Sequence, residues 1–446
     1  MRHPFIRATL ALSIAAATGG VALPGAALAA TANSDQLWQD LATSCIDFTG
    51  DTGNDSGTGG NNSDAFTMQP ATVDAGSDFC ARFAEQVLSI ERQFANDPTA
   101  MAAAFEQLAT DITPDEMPAL YTSLVQLSTD QIRNISHHLR NHRYMQNNNS
   151  TDTALNDGRR SYIGGSAGEQ PGRLSFFVDG AQVDGSQDDT TYEVGYDLGT
   201  DHYTLGADYR FSDSLIAGFA FGNSDTTLEY NEAQNQTDND TDHYIVYASW
   251  YRDNFAVDYI VGYAKGEFDT RRTILDSTAT GNTDNELAYL NLAGSYDFVS
   301  GGLTYGPFAS FDYLDGTIDN FEETNGGGWE AAFDDQDVKS QIYAVGGHAS
   351  YAMSFGWGIL VPHARAEWRN ELEDERDLIV GRFVQDPLSS FAITPDDPDS
   401  DWYQVSAGIS AQFVHGIAAF LDYEEVLEYE DTDLSIVTLG ARWEMQ

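Results

Sequence analysis

The residues of this chain that could do chemistry are mainly carboxylates, histidines and arginines. Asp238, Asp240 and Asp242 have the one-apart spacing of a calcium-binding loop, which requires Gly at its sixth position and Glu at its twelfth. His243 and Ser249 stand at those positions instead. We therefore favour a solvated outer loop, with a specific calcium site as the alternative.

Motifs of enzymes are scarce in the sequence. It contains no His-Glu-x-x-His pair, no phosphate-binding loop and no Gly-Asp-Ser-Leu block, and Gly76-Ser77-Asp78 does not replace the last of these. We expect no enzymatic activity, no cofactor and no metal. An enzyme with an unrecognised short catalytic domain is the alternative.

A cluster of cationic and potentially cationic side chains lies within one predicted helix. Thr113-Pro114-Asp115-Glu116 has the residues of a helix start, Pro118 is the alternative start, and the helix is expected to run to about Arg143. Its second half carries the whole cluster, which comprises Arg133, His137, His138, Arg140, His142 and Arg143. Because the whole chain has only 21 Lys and Arg, this cluster predicts an acidic partner.

The formal charge of −49 is the second unusual feature. It results from 70 Asp and Glu against 21 Lys and Arg, which makes nucleic-acid binding very unfavourable. A solvated acidic surface is the simplest interpretation, and it would suit loops that meet cations or a salty habitat.

From Arg173 onward the hydrophobic pattern has a period of two. Tyr203 and Leu205 alternate with Thr204 and Gly206. The same alternation recurs in about twelve segments, joined by alternately short and long connections, with starts near 173, 191, 215, 242, 255, 285, 303, 338, 358, 402, 417 and 432. One face of each segment suits lipid and the other suits a polar lumen. We predict an all-β transmembrane barrel of about 12 antiparallel strands, against a soluble β-sandwich as the alternative.

The first residues predict export. Arg2 and Arg7 precede an apolar run that ends in Ala27-Leu28-Ala29, the pattern of a secretory signal peptide over residues 1–29. In an exported chain, the only two cysteines, Cys45 and Cys80, predict one disulfide. Three helical patterns lie within residues 30–112, around a Gly/Asn/Asp-rich stretch at 50–64 that we expect to be flexible.

The strand region resembles the autotransporter β-domain family, the translocation unit of type V secretion. The resemblance is carried by the segment 203–213 (YTLGADYRFSD), by the Leu215-Ile216-Ala217-Gly218 that follows, and by the preceding helical segment 131–143 (QIRNISHHLRNHR). It extends from about Thr113 to the C-terminus. It implies an outer-membrane barrel with a helix inside its pore, and assembly by the barrel-assembly machinery.

Carboxylates on the inward phase of the strands agree with a pore helix. They would form an acidic lumen facing the cationic helix, and they are Asp208, Asp258, Asp297, Asp312, Glu367, Asp422 and Glu424. A barrel of about twelve strands leaves room for one helix. The expected pore-helix residues that meet these acids are Arg133, His137, Arg140 and Arg143.

The predicted organisation is therefore a signal peptide (1–29), a short helical passenger-like extension (30–112), a linker helix inside the barrel (113–150) and an outer-membrane β-barrel (151–446). The expected function is a translocator that carries or displays its N-terminal segment at the cell surface, with loops exposed there. The alternatives are an adhesin or surface-interaction protein, whose ligand the sequence does not name, and a plugged channel. Outer-membrane lipid and the barrel-assembly machinery are the expected partners.

Overall fold

A computed structural model describes residues 31–45, 77–151, 173–231, 235–373, 376–413 and 416–445. Four helices and a large antiparallel sheet make up these ranges. None of the helices described combines the length and the hydropathy that a bilayer-spanning helix requires.

Twelve long strands form a closed barrel, as the sequence predicted. In chain order they are β1 Leu174–Gln187, β2 Tyr196–Ser212, β3 Leu215–Tyr230, β4 Gln236–Arg252, β5 Phe255–Ile274, β6 Ser277–Tyr296, β7 Leu303–Ile318, β8 Gln336–Tyr351, β9 Gly358–Glu371, β10 Asp401–Phe413, β11 Ile417–Leu427 and β12 Thr432–Glu444. Each pairs antiparallel with its neighbours, and β1 pairs with β12, from Ser175 opposite Glu444 to Gln187 opposite Thr432. This closure leaves the barrel without an edge and excludes an open sandwich.

The connections alternate in length and define two ends of the barrel. Turns such as Asp213–Ser214 and Asp253–Asn254 lie at the short-turn end, where β1 begins and β12 ends. Short strands Phe298–Ser300 and Met353–Phe355 extend two of the connections at this end. The opposite, long-loop end carries the longer connections of an outer-membrane barrel, except between β5 and β6, which are joined by Leu275 and Asp276 alone.

Two strands begin earlier than the hydrophobic pattern indicated. β4 starts at Gln236 rather than near 242, and β6 starts at Ser277 rather than near 285. The prediction that Asp238, Asp240 and Asp242 lie in a loop is therefore wrong, because all three are on β4. These strand ends are rich in Thr, Asn and Asp on both faces, so hydrophobic alternation could not reveal them.

Side chains alternate strictly between the two faces of the wall. Tyr203, Leu205 and Val246 point outward and are about 60% exposed, whereas Ile260 and Thr204 are completely buried on the inner face. The outward face is apolar and suits lipid, whereas the inner face lines the lumen of the barrel.

The four helices lie in and above this barrel. They are α1 Ala32–Cys45, α2 Ser77–Gln93, α3 Pro98–Ile112 and α4 Pro118–Thr151. The longest, α4, spans about 50 Å at 1.5 Å per residue and contacts strands on opposite sides of the lumen. It begins at Pro118 rather than at Thr113, because a proline fits the first helical position and residues 115–117 form a turn.

Helices α1 to α3 form a cap at the long-loop end, and the disulfide between Cys45 and Cys80 joins α1 to α2 as predicted. A small sheet built from two long connections lies beneath this cap; its strands are Asp386–Ile393, Ile379–Phe383, Ala331–Phe333 and Phe321–Glu322, in spatial order. Phe79 of α2 stacks on Phe383 of that sheet with ring centroids 4.5 Å apart. The cap and the sheet thus share one apolar core.

Candidate functional site in the barrel lumen

The pore helix α4 lies in the lumen, and it bears the four cationic residues that the sequence predicted there. Arg133 Nε lies 2.9 Å from Glu424 Oε1 on β11, and its guanidinium also donates to Asp130 one turn earlier. His137 Nδ1 lies 3.5 Å from Asp422 Oδ1. Further along, Arg143 donates to Asp258 on β5. Each of these residues is buried.

Arg140 is half-buried and lines a cavity of about 50 Å³ together with Arg143, Asp258, Asp297 and others. A second cavity of about 60 Å³ lies closer to the start of α4. Each has room for a few water molecules and not for a polypeptide. The helix therefore fills most of the described lumen.

The seven predicted lumen acids are all buried, and they divide into two groups. Four of them meet cationic or histidine side chains of α4: Asp208, Asp258, Asp422 and Glu424. The other three pair with side chains of the wall: Asp297 with His348 at 2.9 Å, Asp312 with Arg369 at 2.7 Å, and Glu367 with Arg365 at 2.5 Å. Some lumen acids are thus compensated by side chains of the helix, and the others by side chains of the wall itself.

Sequence reasoning missed the cations of the wall. Arg365, Glu367 and Arg369 alternate with outward residues on β9, so the period-two pattern that revealed Glu367 could also have revealed both arginines. Asp179 on β1 was missed as well; it is buried, and neither of its carboxylate oxygens has a hydrogen-bond partner among the described residues.

A chain of buried hydrogen bonds joins α4 to β2 and β3. His202 Nε2 lies 3.2 Å from Asp130 Oδ2, and His202 Nδ1 lies 2.6 Å from Ser224 Oγ. The same Ser224 oxygen lies 3.0 Å from His243 Nε2. Ser, His and Asp also form the reactive group of many hydrolases, but here all are enclosed between the helix and the wall.

The helix lies close to the wall opposite Gly222 on β3. A Cβ atom at this position would lie 2.9 Å from the Gln131 amide nitrogen, so any larger residue would displace the helix side chain. Thr204 on the neighbouring strand donates to Gln131 Oε1 at 3.1 Å. The absence of a side chain at Gly222 therefore makes room for Gln131 of α4.

A buried ionic cluster lies at the linker between α3 and α4, at the long-loop end of the barrel. Arg272, at the outer end of β5, forms a bidentate ion pair with Glu323, with hydrogen bonds of 3.1 and 2.7 Å. It also donates to the Ile112 carbonyl. Glu116 accepts from Asn235 and is otherwise enclosed. Burial raises the pKa of Glu116 to about 7, against the opposing effect of Arg272.

The cap is fastened to the barrel by backbone and side-chain hydrogen bonds. The Ala32 amide donates to the Thr191 carbonyl at 2.6 Å, and Asn33 exchanges bonds with the backbone of Thr394 at 2.8 and 3.0 Å. Arg82 of α2 donates to the Gly327 carbonyl at 2.8 Å.

Three features of the sequence lie outside the described residues. They are the signal peptide at 1–29, the Gly/Asn/Asp-rich stretch at 50–64, and the segment 164–168 (GGSAG), which fits the Gly-x-Ser-x-Gly pattern of serine hydrolases.

The fold and the occupied lumen define a class of protein, an outer-membrane barrel plugged by its own helix. The profile of the Autotransporter beta-domain family matches residues 176–424, which is more than half of the chain. The chain belongs to this family. Membership places it in the outer membrane, as the sequence resemblance implied.

A solved structure of an autotransporter translocator domain has the same fold. The translocator domain of the autotransporter NalP from Neisseria meningitidis is 14% identical, with a TM-score of 0.50, and the match covers 61% of this chain and 88% of that one. The beta domain of the Bordetella autotransporter Brka is also 14% identical, with 61% and 100% covered and a TM-score of 0.47. No curated protein sequence matches the chain.

Proposed function

We propose that this protein is a translocator-type barrel that carries its N-terminal helical segment on the cell surface and retains it there as a cap. One observation carries the proposal: α4 threads the lumen with its start at the long-loop end, where α1 to α3 dock on the loops. Since long loops of outer-membrane barrels face the exterior, the cap would lie outside the cell.

Protease shaving of intact cells tests the topology. An epitope tag inserted at Asn54, within the segment between the two cysteines, should be removed by external protease. A matched tag between Asp213 and Ser214, at the short-turn end, should be removed only after the outer membrane is permeabilised. Protection of the Asn54 tag in intact cells would place the segment inside and refute the proposal.

The fit of the cap to the barrel supports retention rather than release. Its core joins that of the small sheet, with Phe79 between Trp329 and Phe383, and the α1 backbone bonds directly to the loops. A surface-interaction role for the cap and loops follows from the same arrangement. The barrel-assembly machinery is the expected partner for insertion, as for the family.

We infer that the Asp130–His202–Ser224 chain holds the helix in place and that the protein is not a hydrolase. The three side chains are at most 1% exposed. A fluorophosphonate probe, which labels activated serines, should leave the detergent-extracted protein unlabelled. Labelling that is lost on Ser224→Ala or on Ser166→Ala would instead reveal an enzyme and identify its nucleophile.

A further inference from the structure

The junction between the cap and the pore helix concentrates negative charge in a dry environment. Asp115, Glu116 and Glu323 are buried around a single guanidinium, that of Arg272. Arg272 is already engaged with both oxygens of Glu323 and with the Ile112 carbonyl. It therefore has little capacity to compensate a further carboxylate.

The Glu116 carboxylate has few partners. One of its oxygens accepts from Asn235, while the other, Oε2, is buried with no hydrogen-bond partner among the described residues. Tyr230 of β3 donates to the backbone carbonyl of Glu116 rather than to its carboxylate. A protonated carboxyl suits such a site, whereas an ionised one would be compensated only in part, by Arg272.

The surrounding elements show what would have to move to hydrate this group. Glu116 sits between the end of α3 at Ile112 and the start of α4 at Pro118, and Ile112 and Met117 beside it are essentially unexposed. Since these neighbours belong to the linker and to the end of the cap, lifting of the cap and its linker from the barrel would expose Glu116 to water.

We propose that Glu116 is a proton-operated latch: its neutral carboxyl holds the cap on the barrel mouth, and its ionised carboxylate loosens the cap. The latch deepens the proposed function and rests on the cap being docked. The other groups that face it are Arg272 from β5, Glu323 from the loop after β7 and Asp115 from the linker; Glu193 of the β1–β2 loop lies beyond Tyr230.

The sign of the effect follows from linkage. Burial raises the pKa of Glu116 from 4.5 to about 7 in the closed form, and an open, hydrated form returns it to its ordinary value. The closed form is therefore favoured at acid pH and loses this advantage as pH rises through about 7. Between pH 5 and pH 8 the opening equilibrium should increase on the order of a hundredfold.

Hydrogen–deuterium exchange of the complete, detergent-solubilised protein measures this equilibrium. Exchange in α1 and α3, corrected for the pH dependence of intrinsic rates, should show the increase in opening, while β5 remains protected as an internal reference. Glu116→Gln, an isosteric neutral residue, should hold opening at the acid level at both pH values. Glu85→Gln, on the exposed face of α2, should behave as the wild type.

Each outcome has a distinct meaning. An equal increase in opening in wild type and Glu116→Gln would assign it to the general repulsion of a chain of charge −49 and would overturn the latch. A cap that is protected equally at both pH values would overturn the latch and leave the docked cap intact. A cap with no protection at either pH would overturn both the latch and the proposed function.

Discussion

His138 Nε2 on the pore helix lies 2.8 Å from Asp208 Oδ2 on β2, and Tyr247 donates to the other oxygen of the same carboxylate at 2.5 Å. Ser175 of β1 also donates to Asp208 Oδ2, at 3.1 Å. One carboxylate thus joins the helix to three strands near the short-turn end. Such shared acceptors, rather than isolated ion pairs, define how the helix is held.

Removal of one partner from a buried pair should cost more than removal of both. Arg143→Gln leaves Asp258 with Ser249 as its donor, and we expect a loss of about 1 to 3 kcal/mol in the free energy of unfolding. The double variant Arg143→Gln/Asp258→Asn should recover part of this loss, because no unpaired charge remains. Urea unfolding in detergent measures both, and additive losses would contradict the pairing.

The helix should restrict ion flow through the barrel. Planar-bilayer recordings should give low conductance for the wild type and high conductance for a variant that lacks residues 113–150. Replacing Arg133, Arg140 and Arg143 together with Glu should raise conductance and lower thermal stability, since it places like charges opposite Glu424 and Asp258. High salt should weaken this effect. A wild type that conducts as well as the deletion variant would contradict the plug.

Charges on the outward face of β5 should be penalised according to depth. Val261 is outward and apolar, and Arg at this position should cost about 2 to 4 kcal/mol if it lies near the bilayer midplane. Glu267 is on the same face, beyond Tyr263 and Lys265, and lies opposite Asp240 and Asp284. Glu267→Arg should therefore cost nothing, because the site is far from the midplane and the change removes repulsion between carboxylates. Folding equilibria in lipid measure both free-energy costs. Equal costs would mean that Val261 does not lie near the bilayer midplane.

The disulfide should stabilise the cap and not the barrel. Reduction, or replacement of Cys45 and Cys80 with Ala, releases a loop whose closure is worth about 3 to 4 kcal/mol in the entropy model. Exchange protection of α1 and α2 should fall. Heat-modifiable migration in gels, which reports a closed barrel, should not change, and a change there would show that the cap supports barrel assembly.

A row of like charges crosses the outer ends of five strands. Cross-strand partners are Asp201 with Asp225, Asp225 with Asp240, Asp240 with Glu267, and Glu267 with Asp284, all on the exposed face. Because like charges directly opposite one another destabilise a sheet, Asp225→Asn should stabilise the barrel by about 0.2 to 1 kcal/mol at low salt. The gain should disappear in high salt. Loss of stability at low salt would show that the row has another role.

The sequence predicted the barrel well because alternation is a local property. The starts of β3, β5, β7, β9, β11 and β12 agree with the predicted positions, and each of them follows a turn or loop next to an apolar alternating run. It failed for the starts of β4 and β6, whose outer ends carry polar residues on both faces, and it placed the start of β2 near 191 rather than at Tyr196. It also placed the inward carboxylates on the correct face, since a period of two fixes orientation without knowledge of neighbours.

What the sequence alone determined is therefore the barrel, the inward phase of Asp208 or Glu367, the cationic character of α4 and the pairing of the only two cysteines. Tertiary structure decided which charges meet. Arg369 is paired with Asp312 across 57 residues, and Arg272 holds Glu323 across 51, because closure of the sheet brings them together. It also decided that α1 to α3 dock as a cap and that Glu116 is dry, since burial depends on surfaces contributed by loops far apart in the chain.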